Sequence, residues 1–208
     1  MKGITKILLE LKSVDLDTVE GFLYTSGRKG PIYCDNRLLL SHPEERNGIV
    51  EAFLGLIREK ELEFDVVAGV ATGAIAWGAI IADRLKKPFV YVRASAKEHG
   101  KQNQIEGELE EGKKVLVIED LINTGGSSVS ACQAVQSAGC KVTACLAIFS
   151  YGFKDAEKKF SDAKVPLFCL SDFDELLATA SSEGAITEEE KKELLRWHGH
   201  PEGWEPRQ

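Results

Sequence analysis

Along the middle of the chain, short apolar, β-branched runs alternate with longer stretches in which apolar residues recur every three or four positions. Residues 65–70 (DVVAGV), 89–93 (FVYVR), 114–120 (KVLVIED) and 141–149 (KVTACLAIF) read as strands, and residues 165–170 (VPLFCL) as a further short one. Helices are expected over residues 73–86 and 127–138, the second ended by Gly139, and over a charged stretch before the last strand. Strands that are apolar on both faces and separated by helices predict a parallel sheet covered on both sides. The fold class is therefore α/β: a doubly wound, mainly parallel sheet with helices on both faces.

The flanks depart from this alternation. Residues 1–60 begin with an amphipathic helix that carries Ile4, Ile7, Leu8 and Leu11 on one face. They continue through the extended stretches GFLYTSG and PIYCDNR and end in a helix over residues 43–60. Residues 171–208 hold two short helices; Thr187 and Glu190 announce the second as a capping box, and Leu194, Leu195 and Trp197 form its apolar side. The best parse is one domain over residues 1–208, with a core at about 61–170 and a small hood built from the two terminal segments. One further stretch, residues 94–109 (ASAKEHGKQNQIEGEL), is polar, contains glycine and is poor in large apolar residues. So long a loop between core strands is usually functional or disordered.

Composition narrows the function classes. The 208 residues are 43% hydrophobic and 28% charged, as in an ordinary globular protein, with a net charge of −7. An acidic chain is a poor binder of nucleic-acid backbones, which demand clustered Lys and Arg. No apolar run reaches the ~18 residues of a membrane span, and Glu10, Lys12 and Asp15 interrupt the N-terminal apolar stretch that would otherwise resemble a signal peptide. The five cysteines are odd in number and show no CxxC or CxxH spacing. That fits reduced thiols in a cytoplasmic protein rather than a disulfide framework or a zinc site.

The strongest chemical signal is VLVIEDLINTGGSS, residues 115–128. A buried strand ends in two adjacent carboxylates, Glu119 and Asp120. A small polar turn with two glycines follows, and Ser127 then opens a helix. Free backbone N–H groups and the helix dipole favour an anion at such a start. Glycines let the backbone approach a ligand closely, while Thr and Ser hydroxyls add donors. Paired acids one step away can accept hydrogen bonds from sugar hydroxyls. Acids at a strand end, or a Gly-Gly turn, would mean little alone. Strand, acid pair, turn, TGGS and helix in this order describe a ribose 5-phosphate site, at the strand end where open α/β sheets bind ligands.

This run resembles the signature with which type I phosphoribosyltransferases bind phosphoribosyl pyrophosphate (PRPP). The resemblance implies that Glu119 and Asp120 hold the ribose hydroxyls and that Asn123, Thr124, Gly125, Gly126 and Ser127 hold the 5-phosphate, with Leu121 and Ile122 joining the two. SGRKGPIYCDNR (26–37) is similar to a segment of the bacterial orotate enzymes, and YVRASAKEHGKQNQIEG (91–107) to their mobile loop. LSDFDELL and ITEEEKKELLRW resemble the ends of such chains. The expected activity is transfer of the phosphoribosyl group from PRPP to orotate, with Mg²⁺ arriving on the PRPP oxygens and no metal site in the protein itself.

Arg93, Lys97, His99 and Lys101 place four potential cations within nine residues of an acidic chain. A pyrophosphate leaving group needs such cations, and a closing loop can supply them while excluding water. By resemblance Arg93, Lys97 and His99 contact pyrophosphate in the neighbouring subunit's site, which implies a homodimer with shared active sites. The turn after residues 65–70, with Thr72 and Gly73, reads equally well from the residues as a plain βα turn or as a source of backbone amides; the resemblance implies that it holds the same pyrophosphate. The chain also departs from the pattern. Thr25 and Ala94 stand where many orotate enzymes have lysines, and FSYGFKD lacks an arginine that some members use for orotate. Arg37 and Asn123, with backbone amides from Lys29 to Ile32, are the expected substitutes. Two other readings remain at this stage: a phosphoribosyltransferase for a purine base, and a PRPP-sensing regulator with the same fold.

Overall fold

A computed structural model describes residues 3–24, 26–93 and 104–206. The N-terminal part runs α1 (Ile4–Glu10), β1 (Val14–Leu16), β2 (Phe22–Leu23), β3 (Lys29–Gly30), β4 (Ile32–Cys34), a 3₁₀ turn (Asn36–Ser41) and α2 (Pro43–Glu59). Pro43 opens α2, Glu44 and Glu45 sit in its first turn and Arg58 in its last. Each suits the helix end it occupies, through proline's fixed φ and the macrodipole. There follow β5 (Val66–Val70), α3 (Ile75–Leu85), β6 (Phe89–Val92), β7 (Ile105–Glu106), β8 (Lys114–Ile122), α4 (Gly126–Ser137) and β9 (Lys141–Ser150). The chain ends with α5 (Lys154–Asp162), β10 (Leu167–Asp172), α6 (Phe173–Ser182) and α7 (Glu188–Gly199).

Six strands form the main sheet in the order β10-β9-β8-β5-β6-β7. All neighbours are parallel except β6 with β7. Side-chain alternation in β8 sends Leu116 and Ile118 into one core with Phe53 of α2 and Trp77 of α3. Val115 and Val117 enter a second core with Val129 and Val135 of α4 and Phe160 of α5. Helices therefore cover both faces, and the doubly wound α/β expectation holds. Both sheet faces being buried is also why the central strands carry no polar alternation.

Local boundaries differ modestly from the sequence reading. β8 runs two residues past the acid pair, so Glu119 and Asp120 belong to the strand itself. The helix expected from residue 73 begins at Ile75, which leaves Thr72 and Gly73 in the turn. Part of the expected 94–109 loop is strand: Ile105 and Glu106 pair with Val92 and Tyr91. Two residues are too few to show a period. The terminal segments meet through Thr5 and Ser171, whose hydroxyls lie 3.1 Å apart, and within the C-terminal one Trp204 donates to Glu193 at 2.6 Å. The Thr187 and Glu190 capping box forms with both of its hydrogen bonds.

Candidate functional site

β5 and β8 lie side by side, yet the chain leaves β5 toward β6 on one side and comes back to β8 on the other. The loops beyond their carboxyl ends therefore run apart and open a crevice. A cavity of about 530 Å³ occupies it. Val70, Ala71, Thr72 and Gly73 line it from β5, and Glu119, Asp120, Leu121 and residues 123–127 from β8 and its turn. Cys34, Asp35 and Arg37 close it from the N-terminal part. A second hollow of about 570 Å³ lies between α2 and α3. Its Arg46 and Arg84 are already engaged, by the Leu40 carbonyl and by Asn47, and it has neither a carboxylate pair nor a glycine turn.

The turn after β8 is shaped by Gly125, which precedes α4 with φ +72°. That left-handed backbone favours glycine, and a side chain would also press on Ala156. The first N–H groups of α4 have no acceptor within the helix, so they remain for a ligand in the cavity that Gly126 and Ser127 line. Lys159 of α5 donates to the Thr124 carbonyl at 2.7 Å and braces the turn. On the β5 side, the Ala71–Thr72 peptide is cis. The Asp120 carboxylate packs over Gly73 so closely that a Cβ there would overlap it.

The two acids differ in environment. Glu119 is 5% exposed; Ser128 Oγ donates to its Oε2 at 2.8 Å, and the Asp120 N–H to its Oε1 at 3.0 Å. Burial first, and the neighbouring Asp120 charge second, push the Glu119 carboxyl well above the ordinary value of 4.5. Asp120 is half-buried, and its carbonyl accepts from Asn36 Nδ2 at 2.6 Å. Asn36 in turn accepts from Ser13 Oγ at 2.6 Å, which ties β8 to the N-terminal part. The Cys34 thiol, pushed well above its usual value by burial and then by Asp120 and Asp35, is a protonated wall of the cavity rather than a nucleophile.

The raised Glu119 value gives a testable sign. Folding raises its proton affinity, so the stability it contributes is complete below 4.5 and is lost as pH rises through the folded value. Glu119→Gln keeps the shape and removes the titration. Urea unfolding should show the variant gaining on the parent as pH climbs from the carboxylate range toward neutrality. Parallel stability curves would mean that Glu119 is ionised in the folded protein.

A family model described as the phosphoribosyl transferase domain matches residues 37–177. An orotate phosphoribosyltransferase from Coxiella burnetii is 52% identical over 203 residues, 98% of this chain and 97% of that protein. One from Staphylococcus aureus is 48% identical, covering 94% and 97%. The chain belongs to the orotate phosphoribosyltransferase family. A crystal structure of the Aeropyrum pernix orotate phosphoribosyltransferase superposes with a TM-score of 0.75 at 28% identity, covering 88% of this chain and 99% of that one.

Against this family background the structure sorts the expected site residues. Glu119, Asp120, Leu121, Asn123, Thr124, Gly125, Gly126, Ser127, Thr72 and Gly73 all line the one cavity. Ile122 does not: its side chain is fully buried in the core. Arg37 reaches the cavity as half of an ion pair, with Nε 2.6 Å and Nη2 2.8 Å from the two oxygens of Asp35. Arg37 thus reaches the cavity wall with its guanidinium held on Asp35 through Nε and Nη2. Lys29 is exposed on β3 and lies off the cavity wall. Arg93, just past β6, also lies off the wall and pairs at 3.5 Å with Glu106. Thr25, Ala94, Lys97, His99 and Lys101 lie outside the described residues. The sequence reading gave no role to Asn36 or Ser128, which hold the acid pair. Asn36 stands in the quoted IYCDNR segment, but its partner is 84 residues away and no local pattern reveals it.

Proposed function

We propose that this chain transfers the 5-phosphoribosyl group from PRPP to orotate, releasing pyrophosphate and forming orotidine 5-phosphate for pyrimidine synthesis. The observation that carries the reading is the cavity at the β5–β8 switch point, where an acid pair and a glycine turn at a helix start share one wall. Asp120, with Glu119 beneath it, accepts hydrogen bonds from the ribose hydroxyls. Amides and hydroxyls of residues 123–127 hold the 5-phosphate, and the turn at Thr72 and Gly73 faces the pyrophosphate.

A ring nitrogen of orotate then attacks C1 as the bond to pyrophosphate lengthens. Orotate is already anionic, so the protein contributes mainly positioning and stabilisation of the leaving group. Arg93, Lys97 and His99 are the proposed cations for that charge. No group of three or more potential metal ligands occurs among the described residues; a hydrated Mg²⁺ would be carried in on substrate oxygens, and the cavity-facing Asp120 carboxylate would accept hydrogen bonds from its waters. When bound, the ion supplies counter-charge to the pyrophosphate. The working form is proposed to be a cytoplasmic homodimer with shared sites; no helix among the described residues is long and apolar enough to cross a membrane.

The test is pyrophosphate release with PRPP, Mg²⁺ and one base at a time. Orotate should support turnover, and adenine, guanine, hypoxanthine and uracil should do so poorly. Comparable rates with a purine base would favour the purine reading instead. PRPP binding without turnover on any base would favour the regulator.

A further inference from the structure

β5, β8 and the turn after β8 all serve PRPP in the proposed reaction, whereas the wall that Cys34, Asp35 and Arg37 close has no task there. The Asp35 carboxylate accepts from Nε of Arg37 at 2.6 Å, from Nη2 at 2.8 Å and from the Arg37 backbone N–H at 3.1 Å. One acid thus holds both the side chain and the backbone of Arg37. A guanidinium carries five N–H donors. Asp35 takes two of them, and Nη1 has no hydrogen bond among the described residues, with 59% of the side chain exposed.

The same segment is fixed against the ribose acid. Asn36, only 1% exposed, donates from Nδ2 to the Asp120 carbonyl at 2.6 Å, and Ser13 Oγ donates to Asn36 Oδ1 at 2.6 Å. Arg37 is the next residue, so its wall is held beside Asp120. Orotate carries its carboxylate on the carbon next to the ring nitrogen that attacks C1. As that bond forms the carboxylate comes close to the ribose, and its partner has to stand near the ribose acid. A guanidinium with donors to spare offers short, charge-assisted hydrogen bonds to a carboxylate. Held by Asp35, it is ordered before the ligand arrives. The Asp35 charge also moderates the cation, which makes it a weaker lure for the polyanionic pyrophosphate.

We propose that Asp35 and Arg37 act as one unit that recognises the carboxylate of the base: Arg37 donates to it from Nη1, and Asp35 is the positioning residue that holds the guanidinium in place. The assignment rests on the orotate reading and deepens it, because it names what tells orotate from uracil, the same ring without the carboxylate. The contact does not require Arg37 to leave Asp35. The hydrogen bonds from Arg37 hold the Asp35 carboxyl below its ordinary value of 3.8, so the pair is charged at neutral pH.

Calorimetry with two nucleotides isolates this role, since orotidine 5-phosphate and uridine 5-phosphate differ only in the carboxylate. Arg37→Gln should weaken orotidine 5-phosphate roughly ten- to a hundredfold, the range for a hydrogen bond to a charged group. Uridine 5-phosphate and pyrophosphate should stay within about twofold, since neither loses a contact. Asp35→Asn keeps a good capping residue at the start of the 3₁₀ turn, so the segment should still fold. It should lose most of the same preference, and should add little in the Arg37→Gln background, because the two residues act as a unit. An equal loss for both nucleotides, a loss centred on pyrophosphate, or no loss would overturn the proposal. An Asp35→Asn protein with the full preference would remove the positioning role. If the parent protein neither uses orotate nor prefers its nucleotide, the substrate assignment falls and the proposal with it. A parent that does both, with unaffected variants, sinks the Asp35 and Arg37 unit alone.

Discussion

Asp120→Asn should weaken PRPP binding by roughly ten- to a hundredfold, matching the ~1.5–3 kcal/mol of a hydrogen bond to a charged acceptor. The carboxylate faces the cavity, half-buried, and packs over Gly73. Asparagine has nearly the same volume and leaves the Asn36 bond to the Asp120 carbonyl in place, so the fold should be almost unchanged. Removing the charge also relieves its Glu119 neighbour, whose carboxyl is pushed up partly by Asp120. The two measurements are the PRPP dissociation constant by calorimetry and the thermal midpoint. Unchanged PRPP affinity would show that Asp120 is merely a solvated strand end. Lost affinity with a large drop in midpoint would show that the acid supports the fold instead.

The fold and the cavity wall that residues 119–127 build were legible in the sequence for a common reason. Both are local. The strand, acid pair, glycine turn and helix occupy 14 consecutive residues, 115–128, and each step follows from burial, φ preference or helix-end chemistry. The Thr187 cap is equally local and formed as read. What sequence reasoning missed depends on partners far apart in the chain. Asn36 reaches Asp120 across a separation that no periodicity encodes. Arg37 is a local case instead: Asp35, two residues earlier, accepts from its Nε and Nη2, an ion pairing that the sequence left open beside a contact with the base. The antiparallel β7 was lost inside a polar stretch because its two residues pair through the backbone, whose hydrogen bonds leave no mark on composition.

The largest loss of rate is expected from Lys97→Ala, with kcat falling severely and the KM for orotate little changed. A cation that meets the leaving group mainly in the transition state has that signature. Lys97 lies outside the described residues, so the expectation rests on its place among the loop cations and on the family resemblance. The shared-site proposal adds a sharper outcome. Lys97→Ala and Asp120→Asn each disable one component of a site. If Lys97 serves the partner's site, a mixed dimer holds one site with both defects and one with neither. After free exchange of equal amounts, roughly half the dimers are mixed, so about a quarter of the parent activity should return if each variant alone is nearly inactive. A chain that uses its own Lys97 gives mixed dimers with one defect in each site, and mixing then restores nothing. Subunit exchange has to be followed separately, for example by mass-tagged subunits. Exchange without recovery would mean that each subunit completes its own site, and recovery near a quarter would mean that neither can.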